Sequence, residues 1–188
     1  MIKKGPITGI MVHDLESTEG FVCDACIQAK MTSLPLQIGH QRARKHLDRL
    51  HSDICGEFEH PMIVGNQYFA TLINDMSGMI WLHPLKHKGD FVDWFINLDR
   101  KFLNQYGWHT GTLRTDNGGE YVNQRLHDYC SENGILLELT VPHTPQQNSV
   151  AEWANCTLTE CIQALLKDQD CPLSFWGEAA STATYCLN

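Results

Sequence analysis

Positive charge is scarce in this sequence. Its 188 residues carry 14 Lys and Arg against 22 Asp and Glu, a formal net charge of -8, so bulk attraction to a polyanion is not what would hold it to nucleic acid. Long apolar runs are missing too. Nowhere do about 18 apolar residues follow one another, so neither a transmembrane helix nor a membrane partner is expected. The opening MIKKGPITGIMVHDLE breaks its apolar residues with Pro6, Gly9 and His13, and no secretory signal peptide is expected from it. Without such a signal the eight cysteines are read as thiols rather than as a disulfide framework, with Cys23 and Cys26 set apart by their Cys-x-x-Cys spacing. Internal repeats and low-complexity tracts are also absent. What is present is a 43% hydrophobic, 19% charged composition, enough for one packed domain of ordinary size with a small appendage. A carboxylate-rich metal site would contribute to the acidic balance.

Residues 1 to 45 are weakly periodic and run into the basic patch HQRARKH (40 to 46), and they are read as a broken small module plus linker. Regular patterning follows. DRLHSDICG suits a short strand, and QYFATLIND and GMIWLHPLK, rich in β-branched and aromatic residues around MSG, suit an antiparallel pair. GDFVDWFINLDRKFLNQYG changes period: Phe91, Phe95, Leu98 and Phe102 recur at helical spacing, and Gly107 is a helix stop. TGTLRTD is a strand, NQRLHDYCSENG a helix, ILLELTV a strand and PHTPQQNS a loop. VAEWANCTLTECIQALLKD is a helix with Ala151, Ala154, Leu158, Cys161 and Leu165 on one face, and PLSFWGEAASTATYCLN is a last helix with Pro172 near its first turn. Three strands, helix, strand, helix, strand and two helices predict an α/β fold, a mixed sheet with helices packed on it.

Three carboxylates stand out against this pattern. Asp53 interrupts the first strand, and Asp116 ends the fourth. Taken alone, each is as well explained as a polar strand edge or turn residue. The Asn117-Gly118 pair is a hairpin signal, but Leu126, Tyr129 and Cys130 then follow at helical spacing, so the element is strand, glycine turn, helix. Glu152 lies at the edge of its helix's apolar stripe, neither buried nor fully solvent-facing by this reading. Two strand carboxylates and one helix carboxylate can meet at one end of a sheet. Hard oxygen ligands with open positions suit Mg²⁺ or Mn²⁺, and a pair of such ions supports in-line phosphoryl displacement without a protein nucleophile.

LHSDICG, LRTDNGGEY and TPQQNSVAEWANCTL together resemble the catalytic core of retroviral-type integrases, specifically those of copia-type LTR retrotransposons. The 35 residues between Asp116 and Glu152 equal that family's Asp-Asp-35-Glu spacing, and YFATLINDMSG, PLKHK and FWGEAA extend the resemblance from about residue 46 to 188. It implies an RNase H-like fold, a five-stranded mixed β-sheet flanked by α-helices. It implies that Asp53, Asp116 and Glu152 hold two Mg²⁺ or Mn²⁺ ions. The implied reactions are trimming of the 3′ ends of retroelement DNA and their joining to target DNA. DNA and a second copy of the chain are the implied partners, with no small-molecule cofactor. The nucleus is the implied place of action, after a stage in a cytoplasmic element particle, although no clear localisation signal is present. Gln146 and Asn148 in the loop, with Asn117 beside Asp116, are the implied DNA contacts.

The sequence departs from that family in places. Where its members read like NGVAERKNRTL, this chain reads NSVAEWANCTL: Ser149, Trp153, Ala154 and Cys156 replace a glycine and three basic residues. Loss of those cations weakens phosphate binding and flattens its salt dependence. Trp153 points away from the predicted core stripe and is read either as a base-stacking side chain or as a neutral replacement. Asn74 stands where the family often has Asp, with Asp75 beside it. Cys23 and Cys26 resemble half of the zinc module that precedes such cores. Tetrahedral zinc needs four ligands, and His13 is the single histidine before Cys23, so this is an incomplete zinc site and the module is read as truncated. Arg42, Arg44 and Lys45 are either a solvated linker or phosphate contacts. His51 and His143 are expected to be surface polar residues. Besides an active integrase core at residues 46 to 188, a catalytically inactive or domesticated relic that binds nucleic acid or a partner fits these departures. A general RNase H-type nuclease shares the fold and metals, but the 35-residue gap and the TPQQN loop favour integrase over it.

Overall fold

A computed structural model describes residues 42–140 and 149–188. Five strands form one sheet: β1 (Arg49–Cys55), β2 (Tyr68–Asn74), β3 (Ile80–Leu85), β4 (Thr112–Thr115) and β5 (Leu136–Leu139), in the spatial order β3-β2-β1-β4-β5. β1, β2 and β3 pair antiparallel, whereas β4 runs parallel to β1 and β5 parallel to β4. The mixed sheet expected from the element order is therefore present, with β2 running against the other four strands. The parallel connections need helical crossovers. These are α1 (Phe91–Tyr106), which carries the chain from β3 to β4, and α2 (Gln124–Glu132), which carries it from β4 to β5. Helices α3 (Ser149–Asp168) and α4 (Trp176–Leu187) follow.

The two faces of the sheet bury separate cores. Leu50, Ala70, Leu72 and Leu113 pack with Phe91, Phe95, Phe102, Leu126 and Tyr129 of α1 and α2. Phe69, Ile73 and Ile80 pack with Ala151, Ala154, Leu158 and Ile162 of α3 and Trp176, Ala180 and Ala183 of α4. Period-two alternation along β1 and β2 thus feeds both layers. Helix α1 ends as its sequence demands: Gly107 takes a left-handed φ of 82° and its N–H returns to the Leu103 carbonyl. The last helix begins later than Pro172 suggests, because residues Leu173–Phe175 form a 3₁₀ turn ahead of it.

Three side chains differ from expectation. His51 is fully buried, not superficial, because β1 is the central strand and α3 crosses it; its Nε2 bonds Asp75 Oδ1 at 2.8 Å. In α3, Ala151, Ala154 and Leu158 are covered as expected, but beyond them Ile162 and Leu166 are buried while Cys161 and Leu165 are only partly covered, a one-residue rotation of the stripe in the second half of the helix. Trp153 does not point away from the core but packs against the α3–α4 layer. Its Nε1 is buried and without a hydrogen-bond partner among the described residues.

Candidate active site

The end of the sheet where β1 and β4 finish carries the two aspartates. Asp53 lies near the end of β1 and Asp116 directly follows β4. The β1–β4 ladder runs from Arg49–Thr112 to His51–Arg114, so both carboxylates stand two residues past its last pair. Backbone amides beyond a ladder's end are free to turn outward and to serve other groups. Here they serve the carboxylates: the Ile54 N–H donates to Asp53 Oδ1 at 2.9 Å, and the Gly118 N–H donates to Asp116 Oδ1 at 3.0 Å. The second bond makes residues 116–118 an Asx turn, the reason Asp suits this strand end whether or not it does chemistry. The turn then closes on itself, with the Gly118 carbonyl accepting from the N–H groups of Tyr121 and Val122. A Cβ on Gly118 would meet the Glu120 carboxylate carbon at 2.7 Å, so the glycine admits that folded-back side chain.

Asp53 is held from a second direction. Asn155 of α3 donates from Nδ2 to Asp53 Oδ2 at 2.9 Å, and its Oδ1 accepts from the Thr71 hydroxyl at 2.8 Å. Thr71 is the β2 residue paired with Asp53. The chain Thr71–Asn155–Asp53 fixes the amide's orientation and fixes α3 over β1. Asn155 is 6% exposed, a polar side chain at a core position one turn beyond Glu152. Sequence reasoning missed it. The available signal was an asparagine at helical spacing inside the stripe of Ala151, Ala154 and Leu158, where an unpaired amide is costly.

Burial pushes the Asp53 carboxyl up to about 6, and the negative charges of Asp116 and Glu152 push in the same direction against its hydrogen bonds. Asp53 therefore senses both other candidate carboxylates. Glu152 itself is exposed in the first turn of α3, more open than its place at the stripe's edge suggested. Among the described residues no three His, Cys, Asp or Glu side chains stand close enough together to form a ready-made metal cage. The donor chemistry nevertheless fits a hard divalent cation. All three side chains offer carboxylate oxygens, and the mutual repulsion that adds to burial in raising Asp53 is what a dication relieves.

The other singled-out positions fall as follows. Asn117 is exposed, and its Nδ2 donates to the Thr140 carbonyl at 2.6 Å, tying the Asp116 turn to the end of β5. Arg42, Arg44 and Lys45 are exposed ahead of β1. Asp75 anchors that segment, accepting from the Ala43 N–H at 2.5 Å and facing Arg49 at 3.7 Å. Asn74 bonds His46 Nδ1 at 2.7 Å and caps the following turn through Met76. Cys55, Cys130, Cys156, Cys161, Cys171 and Cys186 are free thiols. Cys23, Cys26, His143, Gln146 and Asn148 lie outside the described residues.

Comparison with known proteins bears on this arrangement. Residues 43–145 match the model of the integrase core domain family. The chain is 40% identical over 166 residues to the retrovirus-related Pol polyprotein from transposon TNT 1-94 of Nicotiana tabacum, covering 88% of this chain and 12% of that polyprotein. It is 31% identical over 168 residues to the polyprotein from transposon RE2 of Arabidopsis thaliana, covering 88% and 11%. The chain thus spans about an eighth or less of these relatives. A cryo-EM structure of the simian T-cell lymphotropic virus intasome, in complex with the PP2A regulatory subunit B56 gamma, shares the fold. It superposes with a TM-score of 0.64 at 18% identity, covering 82% of this chain and 53% of that one.

Proposed function

This chain belongs to the integrase core domain family, and we propose from that premise that it is a divalent-metal-dependent DNA strand transferase. It processes the 3′ ends of retroelement DNA and joins them to target DNA in the nucleus, working as a homo-oligomer. Asp53, Asp116 and Glu152 hold the metal. The observation that carries the reading is the placement of two carboxylates just past the last pair of the β1–β4 ladder, with the third on the helix that crosses β1. Bound there, Mg²⁺ or Mn²⁺ supplies Lewis-acid polarisation of the scissile phosphate and activation of the attacking oxygen.

The chain's own residues do the rest. Asn155 and the Ile54 amide each bond one oxygen of Asp53 and leave lone pairs on both. The Gly118 amide orients Asp116 in the same way. Asn117 fastens the glycine turn to the Thr140 carbonyl. Disintegration of a branched DNA by the parent and by Asp116→Asn, with Mn²⁺, tests the reading. Activity in the parent alone supports it. Equal Mn²⁺ binding by both proteins sinks the assignment of Asp116.

One observation favours a second reading, a relic that folds and binds a partner without cutting DNA. The outward positions of α3 in line with Glu152 are Cys156, exposed, and Glu160, half-exposed. Neither offers a cation to a phosphate. A folded parent that binds Mn²⁺ and does not resolve the branched substrate would establish that reading.

A further inference from the structure

We propose that Tyr121 is a positioning residue whose hydroxyl, paired with that of Ser52, holds the Asp116 turn in register with Asp53. The inference rests on the metal-site reading above and extends it to a residue that contacts neither metal nor DNA. Tyr121 is 1% exposed, and its ring meets Phe91 edge-on at 4.8 Å between centroids. Phenylalanine would fill that space equally well. The hydroxyl therefore needs its own explanation, because burying it costs free energy unless it is bonded.

Its partner supplies one. Tyr121 Oη lies 3.0 Å from Ser52 Oγ, both buried and 69 residues apart in sequence. Ser52 is the residue immediately before Asp53, and Tyr121 closes the turn that begins at Asp116. The β1–β4 ladder has already ended at His51–Arg114, so backbone pairing no longer sets the distance between the segments that carry the two carboxylates. The hydroxyl pair joins those segments just past the point where the ladder stops. Among the described residues the other bonds of the turn are internal, from Asp116 to Gly118 and from Gly118 to Tyr121, or lead away from β1, to Thr140 on the β5 side and, through Glu120 at 3.8 Å, to Lys88. The Tyr121–Ser52 bond ties that turn directly to β1 and steadies it there. Groups behind metal ligands act this way, fixing ligand orientation without touching the ion.

Tyr121→Phe keeps the ring and deletes the bond; Ser52→Ala deletes it from the other side. In metal-free protein shown by circular dichroism to be folded, the Gly118 amide should exchange with deuterium roughly tenfold faster in either variant. The amide of Leu113 inside β4 should keep the parent's rate. Mn²⁺ affinity, followed by calorimetry well below the melting temperature, should fall by roughly tenfold. Adding Tyr121→Phe to Ser52→Ala removes the tyrosine hydroxyl left without that bond and should recover stability, but Mn²⁺ affinity should stay low, which a merely structural bond does not predict. Parent-like exchange at Gly118 in both folded variants overturns the proposal, as does Mn²⁺ affinity that returns with stability in the double variant. Faster exchange at Gly118 in a parent background that binds no Mn²⁺ at all overturns the metal-site reading instead and leaves the coupling of turn to strand supported.

Discussion

Asn155→Asp is the substitution that most directly interrogates the geometry around Asp53. Asn155 Nδ2 stands 2.9 Å from Asp53 Oδ2, and its Oδ1 accepts from Thr71. An aspartate of the same shape keeps the Thr71 bond and turns the donor facing Asp53 into a second anionic acceptor. Unit charges about 4 Å apart repel by about 4 kcal/mol at an effective dielectric of ~20, and solvent reaching the partly open site reduces this to roughly 2–3 kcal/mol. For a domain of this size that is a fall in Tm of roughly 4–12 °C. The sign with pH follows from the like charge. It raises the folded-state pKa of the new carboxyl above its unfolded value, so the folded form binds more protons in that window. The penalty is therefore full at pH 8 and fades as the pH falls toward the ordinary carboxylate value of about 4. Melting curves at pH 8 and pH 5, with and without Mn²⁺, read this out. The variant should recover most of its loss at pH 5, and Mn²⁺ should raise its Tm at pH 8 by more than it raises the parent's. Asn155→Ala, which loses both bonds and adds no charge, should show the same sign with pH but a smaller swing, because the lost Nδ2 bond favours the ionised form of Asp53. A parent-like Tm for Asn155→Asp at pH 8 without metal would refute the reasoning.

Three further outcomes are expected. Asp99 is fully buried and accepts from His109 Nδ1, the Thr110 N–H and the Tyr129 hydroxyl at 2.5, 2.7 and 2.9 Å; Asp99→Ala orphans these donors and should cost about 3–5 kcal/mol in urea unfolding. Because that network sits before β4 and Asp116 sits after it, the variant's Mn²⁺ affinity in the folded state should equal the parent's. Burial opposes ionisation of Asp75, but the Ala43 N–H, the His51 bond and Arg49 outweigh it and hold its carboxyl below the ordinary range. A depressed carboxylate contributes stability above its unfolded value and loses it as the pH falls through the folded one, so Asp75→Asn should lower stability at pH 7 and flatten the acid limb of the stability curve below pH ~4. Burial pushes His51 below its usual value, so the Asp75 bond is that of a neutral imidazole and should persist at pH 7. A Cβ on Gly111 would lie 2.7 Å from the Asp48 carbonyl oxygen; Gly111→Ala should cost about 1–3 kcal/mol by displacing the backbone at the entry to β4, and an unchanged Tm would remove that close approach from the account.

Much of this molecule is written in local pattern. Period-two and helical spacing in the apolar residues placed all five strands and the main helices close to where they stand, because a half-buried strand and an amphipathic helix each have one way to hide such residues. Gly107 stopped α1 as a left-handed cap should. The Asp116 turn was legible for a similar reason, since Asn-Gly-Gly after a strand leaves few backbone courses. Relations between segments were not legible in that way. Strand order decided that β1 is central and that His51, polar and isolated in the sequence, is buried against Asp75. The seating of α3 on the sheet decided that Trp153 packs against the core and Glu152 stays outward. Asn155 and Tyr121 carry no local signature of their roles, for each acts on a partner 102 or 69 residues away. Local preferences depend on a few neighbouring dihedrals and are printed residue by residue. Which hydroxyl meets which carboxylate depends on how helices and strands stack, and the folded chain alone sets that distance.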